Sequence, residues 1–247
     1  MNQELNIGSS IQPLRNVAAL MTLTNTVQHR AFGLPGIGVF YGHAGLGKTS
    51  AASYATIKSD AVYIAMQRTW TAKSMLKQIL MEMLNHEPRG TIPDLANQVN
   101  SELLRSGRML IIDEADYAVE KNLIDHIRDI HDNSQCAVVL IGEEKMPQKL
   151  RKWERFHDRV LKFVAAEPCD LKDAKMLAKV YAAGLTVHDD LMTSIVEQNQ
   201  GNSRRISRAL ANVYAQCRVE GISDVSASSW GNRALTVGET PKPRKDL

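Results

Sequence analysis

The chain has 247 residues, 44% of them hydrophobic and 23% charged, with a formal net charge of +3. This is an ordinary composition for a soluble globular protein with room for one full domain and a smaller companion. Nothing approaches the run of about 18 apolar residues that a membrane span requires. Residues Met1 to Ser10 lack the marks of a secretory signal, so a cytoplasmic location and no membrane partner are expected, and a charge of +3 does not by itself establish a nucleic-acid partner. Cys136, Cys169 and Cys217 are odd in number and far apart, which predicts free buried thiols and no disulfide or zinc set.

Residues 1–35 are expected to form a linker with helical content. From residue 36 to residue 167, short apolar runs alternate with longer amphipathic stretches, the pattern of strand and helix units around a mostly parallel sheet. Near-continuous apolar runs predict five buried strands, near Ile37 to Tyr41, Ala61 to Met66, Met109 to Asp113, Ala137 to Ile141 and Val160 to Val164. Over residues 168–236 the spacing turns helical, at Leu171 to Ala183, Leu191 to Gln200, Ser203 to Val219 and a short Ser223 to Leu235. Asp170, then Asp189 or Asp190, then Asn202 or Ser203 are candidate caps, and the segment is read as a small all-helical domain. Residues 237–247, with two prolines and several basic side chains, are expected to be a flexible basic tail.

Gly42-His43-Ala44-Gly45-Leu46-Gly47-Lys48-Thr49 matches GxxxxGK[ST] between the first strand and a helical stretch beginning at Ser50. Glycines let the backbone close around phosphate oxygens, so that its N–H groups and the positive end of the next helix face the anion. Residues 42–50 are therefore the candidate ATP-binding set. Lys48 would reach the β- and γ-phosphates, and Thr49 would ligate magnesium. Leu110-Ile111-Ile112-Asp113-Glu114 is an apolar strand ending in two acids, placing Asp113 at the carboxyl edge of the sheet where ligands of such folds sit. Asp113 is expected to hold magnesium through water, and Glu114 to act as general base toward a water attacking the γ-phosphate.

With these two motifs, an alternating core and a helical segment after it, the chain resembles AAA+ ATPases: an α/β P-loop NTPase fold followed by a helical lid. More narrowly, Gly36 to Gly42, Ala61 to Ile64, Val138 to Gly142 and Gly201 to Arg205 resemble the phage Mu B, IstB and TniB group of transposition ATPases. The resemblance implies an ATP site completed by a neighbouring subunit in a ring or helical filament. It makes Arg155, in Glu154-Arg155-Phe156, the candidate arginine finger acting in trans, with Arg159 in reserve, because a guanidinium neutralises charge developing on the transferring phosphate. It makes Arg204, with Arg205 as alternative, the candidate sensor 2 arginine. Glu143 stands where the family carries a small polar sensor 1 residue.

Two basic stretches are candidate DNA contacts: Arg68, Lys73 and Lys77 near Trp70, and Lys145, Lys149, Arg151 and Lys152 before Arg155. No zinc finger or helix-turn-helix outside the lid implies base readout, so binding to double-stranded DNA is expected to be sequence-independent and salt-sensitive. The function implied is an ATPase that oligomerises on DNA and delivers it to a transposase, with hydrolysis driving disassembly. The alternatives are a helicase loader similar to IstB and DnaC relatives, acting on single strands, and a nucleotide-gated scaffold with little hydrolysis.

Overall fold

The computed structural model describes residues 14–84 and 86–236, so the expected tail at 237–247 lies outside the described residues. The described residues divide into two compact units, one running from Asn16 to Glu167 and the other comprising Pro168 to Thr236 together with Leu14 and Arg15.

The first unit opens with helix α1 (Arg15–Gln28), whose apolar face of Val17, Leu20, Leu23 and Val27 is buried. Strand β1 (Ile37–Tyr41) follows, then α2 (Lys48–Ser59), β2 (Val62–Ala65), α3 (Ala72–Met81), α4 (Ile92–Ser106) and β3 (Leu110–Asp113). The remainder is α5 (Asp116–Glu120), α6 (Ile124–Ser134), β4 (Val138–Gly142), α7 (Met146–Leu150), α8 (Glu154–His157) and β5 (Val160–Ala165). The expected α/β P-loop fold is present: five strands form one sheet in the order β2-β3-β4-β1-β5, and every pairing is parallel. β3 and β4 are buried along their whole length because helices cover both faces, which is why their sequences read as unbroken apolar runs.

Local chemistry sets where the helices begin and end. Thr91 accepts the N–H of Asp94 while Asp94 accepts the N–H of Thr91, which starts α4, and Gly107 ends it at φ 66°. A parallel sheet puts all five strand ends on one edge. The order also places β4 between β1 and β3, so the turn after β4 lies between the phosphate loop and the paired acids.

The second unit holds α9 (Leu171–Tyr181), α10 (Asp189–Gln198) and α11 (Ser203–Glu220) around Leu177, Leu191, Ile195, Ile206, Leu210 and Trp230. Asp170 caps α9 in a reciprocal pair with Asp173, and Arg15 forms ion pairs with both carboxylates. Asn202 caps α11 by accepting the N–H of Arg205. Three details amend the expected all-helical reading. Thr186–Val187 pairs in parallel with Asp224–Val225, too short a ladder to leave a periodic signal. The expected helix from Ser223 to Leu235 contracts to Ala227–Trp230, started by the Ser226 and Ser229 capping box and ended at Gly231. The N-cap of α10 is His188 rather than an aspartate, and Asp190 instead accepts the N–H groups of Leu191 and Ala227.

Candidate nucleotide site

β1 ends at Tyr41, and the chain then turns across the sheet edge into α2. Gly42 donates its N–H to the Gly142 carbonyl at 3.3 Å, and a Cβ on Gly42 would come within 2.9 Å of Ala166 Cβ. Gly45 and Gly47 adopt φ of 83° and 81°, which only glycine enters without strain, and they curl the loop so that the N-terminus of α2 faces its centre. Lys48 Nζ donates to the carbonyls of Gly42 and His43 at 2.5 and 2.9 Å, holding the ammonium over the loop. Thr49 and Ser50 are exposed in the first turn of α2.

One residue that sequence reasoning missed anchors this loop from below. The Asn16 amide, 3% exposed, donates to the carbonyls of Leu46 and Glu167 at 2.9 and 2.8 Å and accepts the Glu167 N–H at 2.9 Å. All its amide groups are used, so α1 is stitched to the loop and to the strand-end segment beyond β5. A polar residue on the buried face of an amphipathic stretch was the signal in sequence.

Asp113 is 3% exposed at the end of β3. Its Oδ1 accepts the Glu114 N–H at 2.8 Å, and its Oδ2 accepts the Tyr63 hydroxyl at 3.2 Å. Tyr63, on β2, is the second residue missed, and only the side-by-side pairing of β2 with β3 brings it to the acid. Burial and then the Asp113 charge push the Tyr63 phenol well above its ordinary range, so it stays a donor. Glu114 lies exposed in the left-handed region at φ 52°, unusual outside glycine and a local backbone strain. Desolvation, and after it the charge of Asp113, raises the Glu114 pKa; desolvation lowers that of Lys48, opposed by Asp113, Glu114, Glu143 and Asp116. Lysine and four carboxylates therefore share one field at the sheet edge, and the donor set of Thr49 hydroxyl and Asp113 carboxylate is one that suits magnesium. Asp116, at the start of α5, is 5% exposed.

The other candidates are scattered. Arg155 is exposed on the four-residue α8, beside a cleft of about 440 Å³ lined by Asp125, Arg128, Lys152 and Trp153. Arg204 is exposed in the first turn of α11 in the second unit. The reserve arginine Arg159 is held by Asp132 through Nε and Nη2. Two of the candidate DNA contacts are ion-paired: Lys149 with Asp116 and Glu120 at 3.0 Å, and Lys77 with Glu87 at 3.1 Å, so neighbouring carboxylates offset their charge. Arg68, Lys73, Lys145, Arg151 and Lys152 are exposed and make no ion pair among the described residues. Glu143 is exposed at the end of β4, and Glu144 approaches His43 of the phosphate loop at 3.9 Å.

Residues 32–150 match the family described as an AAA domain. That segment, which holds the phosphate loop, is an AAA-type P-loop domain. The match covers the phosphate loop and both acids and stops short of Arg155 and Arg204. No curated protein matches the chain. Among solved structures it is similar to Cdc6p from Pyrobaculum aerophilum, with a TM-score of 0.62 and 15% identity over 85% of this chain and 62% of that one. It is similar also to the Orc1 protein of Aeropyrum pernix, solved in complex with DNA, with a TM-score of 0.63 and 14% identity over 90% of this chain and 65% of the other. A signal transduction ATPase with a tetratricopeptide repeat sensor from Pyrococcus horikoshii gives a TM-score of 0.51 and 15% identity over 83% and 31% of the two chains. At such identity the likeness is one of fold, and the chain spans less than two thirds of the length of the first two structures. No helix among the described residues is long and apolar enough to cross a membrane.

Proposed function

We propose that the protein hydrolyses ATP with magnesium and uses nucleotide state to assemble on double-stranded DNA. The observation that carries this reading is the convergence, on one sheet edge, of the phosphate loop with Lys48, the buried Asp113 and the exposed Glu114. In it the loop N–H groups and Lys48 bind the phosphates, and Glu114 takes a proton from the attacking water, a role that a raised pKa favours. Magnesium, held by Thr49 and through water by Asp113, would supply positive charge against the β- and γ-phosphates. The exposed Arg155, which makes no ion pair among the described residues, is the finger offered to a neighbouring copy, and Arg204 is proposed as a nucleotide-responsive arginine.

For DNA, the exposed cations Lys145, Arg151 and Lys152, with Arg68 and Lys73, support backbone binding without base readout. The finer form of the reading, delivery of the bound DNA to a transposase by a ring or filament that hydrolysis dismantles, rests on the sequence resemblance. A helicase-loader type of activity is the second reading, resting on the resemblance to IstB and DnaC relatives; the fold likeness to an Orc1 protein solved with DNA supports a DNA partner under either reading. The deciding experiment is electron microscopy and ATPase assay of the protein with duplex or single-stranded DNA, with ATP or a slowly hydrolysed analogue, at low and high salt. The proposal expects analogue-dependent, salt-sensitive assemblies on duplex DNA. Assembly on single strands alone would favour the loader reading, and none on either would remove DNA from the function.

A further inference from the structure

A buried carboxylate beyond the two acids of the nucleotide motif joins parts of the site that the sequence keeps far apart. Asp116 begins α5, two residues after Glu114, and its side chain is 8% exposed. One oxygen accepts the backbone N–H of Glu143 at 2.5 Å, and the other takes Lys149 Nζ at 3.0 Å. Lys149 bonds also to Glu120, on the last turn of the same short helix. A carboxylate so far out of water needs both oxygens answered, and a charged acceptor makes the amide bond stronger than a neutral one would.

The surroundings are shaped to permit this contact. A Cβ at position 142 would stand 2.5 Å from Asp116 Oδ2 and 2.0 Å from Met146 Sδ, so Gly142 is what allows the end of β4 to close on Asp116. The same residue's carbonyl receives the N–H of Gly42, and the Ile141 carbonyl receives that of Ala115. The turn after β4 is thus bonded on one side to the phosphate loop and on the other to the turn bearing Asp113 and Glu114. Lys149 extends the connection into α7, which leads within five residues to Arg155.

We propose that Asp116 and Lys149 are positioning residues that lock the Glu143 turn to the Glu114 turn and couple both to the α7–α8 segment. This rests on the reading of the site as an ATP-hydrolysing one. Lys149 acts through Asp116 rather than on nucleotide: it holds the carboxylate in the orientation that receives the Glu143 N–H, so the hydrolytic acid and the segment bearing Arg155 move together.

The test compares Lys149→Met, Lys149→Arg and Asp116→Asn with wild type, measuring kcat, KM, affinity for an unhydrolysed ATP analogue, and amide exchange at residues 143–145. Loss of one well-placed hydrogen bond corresponds to about tenfold in the equilibrium it controls. Lys149→Met is expected to lower kcat by about that factor, to speed Glu143 exchange similarly, and to change analogue affinity less than about twofold. Lys149→Arg is expected to recover most of the lost turnover. Parallel losses in kcat and analogue affinity, or unchanged Glu143 exchange, would overturn the proposal; Asp116→Asn gives the same readouts where Lys149→Met does not fold. Should the wild-type protein show no ATPase activity, the hydrolysis reading fails by itself, while Glu143 exchange in the analogue-bound protein still decides whether the coupling exists.

Discussion

Replacing Asn16 by alanine tests whether α1 is an accessory to the AAA-type domain or a structural part of its phosphate loop. The amide is 3% exposed and makes three hydrogen bonds, to the carbonyls of Leu46 and Glu167 and from the Glu167 N–H. Alanine removes all three and leaves the Leu46 carbonyl facing an apolar gap. At a net contribution of about 0.5–1.5 kcal/mol for each bond, the expected loss is about 2–4 kcal/mol, a large share of the roughly 5–15 kcal/mol that holds a domain together. Asn16→Asp is a sharper control, since it keeps the acceptor for Glu167 N–H but turns a carboxylate oxygen toward two carbonyls, and it should be at least as unstable as the alanine variant. Urea unfolding followed by circular dichroism measures stability, and titration with a fluorescent ATP analogue measures the loop, where about a tenfold loss of affinity is expected from its released anchor. Unfolding of Asn16→Ala within about 0.5 kcal/mol of wild type, the range of a neutral surface change, would refute the reasoning.

Lys48→Ala should abolish ATP binding in an equilibrium titration, whereas Glu114→Gln should bind ATP normally and lose about 100-fold in turnover, the order that general-base catalysis contributes. The pH profile gives an independent check. Burial and the charge of Asp113 raise the Glu114 pKa, so kcat/KM should fall on acidification at a pH above the ordinary glutamate value of about 4.3, and Glu114→Gln should lose that limb. The sign for stability is opposite: because the folded state favours protonated Glu114, this residue's contribution to nucleotide-free stability is complete below the ordinary glutamate pKa. It is lost as pH rises through the raised one, a trend that melting of Glu114→Gln should lack. Gly142→Ala should cost about 1–3 kcal/mol by overpacking against Met146 and Asp116, and adding Met146→Ala should relieve only the sulfur clash.

The sheet, the phosphate loop and the two acids were legible in sequence because each depends on local chemistry. The apolar runs of β1, β3 and β4 are what strands buried on both faces require, whereas the edge strand β5 carries Lys162 and is only part-buried, against the expectation of five buried strands; glycines at 45 and 47 are what a loop with positive φ requires. The apolar run ending in Asp113 and Glu114 places both acids at the carboxyl edge of a parallel sheet, since every strand of such a sheet ends on the same side. The short pair of Thr186–Val187 with Asp224–Val225 was not legible, because two residues are too few to show a period.

Tertiary structure alone decided what these residues touch. Lys149 and Lys77 looked like members of basic stretches, and the fold brought carboxylates from Asp116, Glu120 and Glu87 onto them, which no count of charges along the chain could show. Asn16, Tyr63 and Asp116 read as unremarkable polar residues until α1, β2 and the turn after β4 delivered partners from as far as 151 positions away. Strand order is the physical reason. Local sequence dictates that β1, β3 and β4 form, but their lateral arrangement, with β4 in the middle, depends on how helices pack on both faces. That arrangement turns a phosphate loop and a pair of acids into one site.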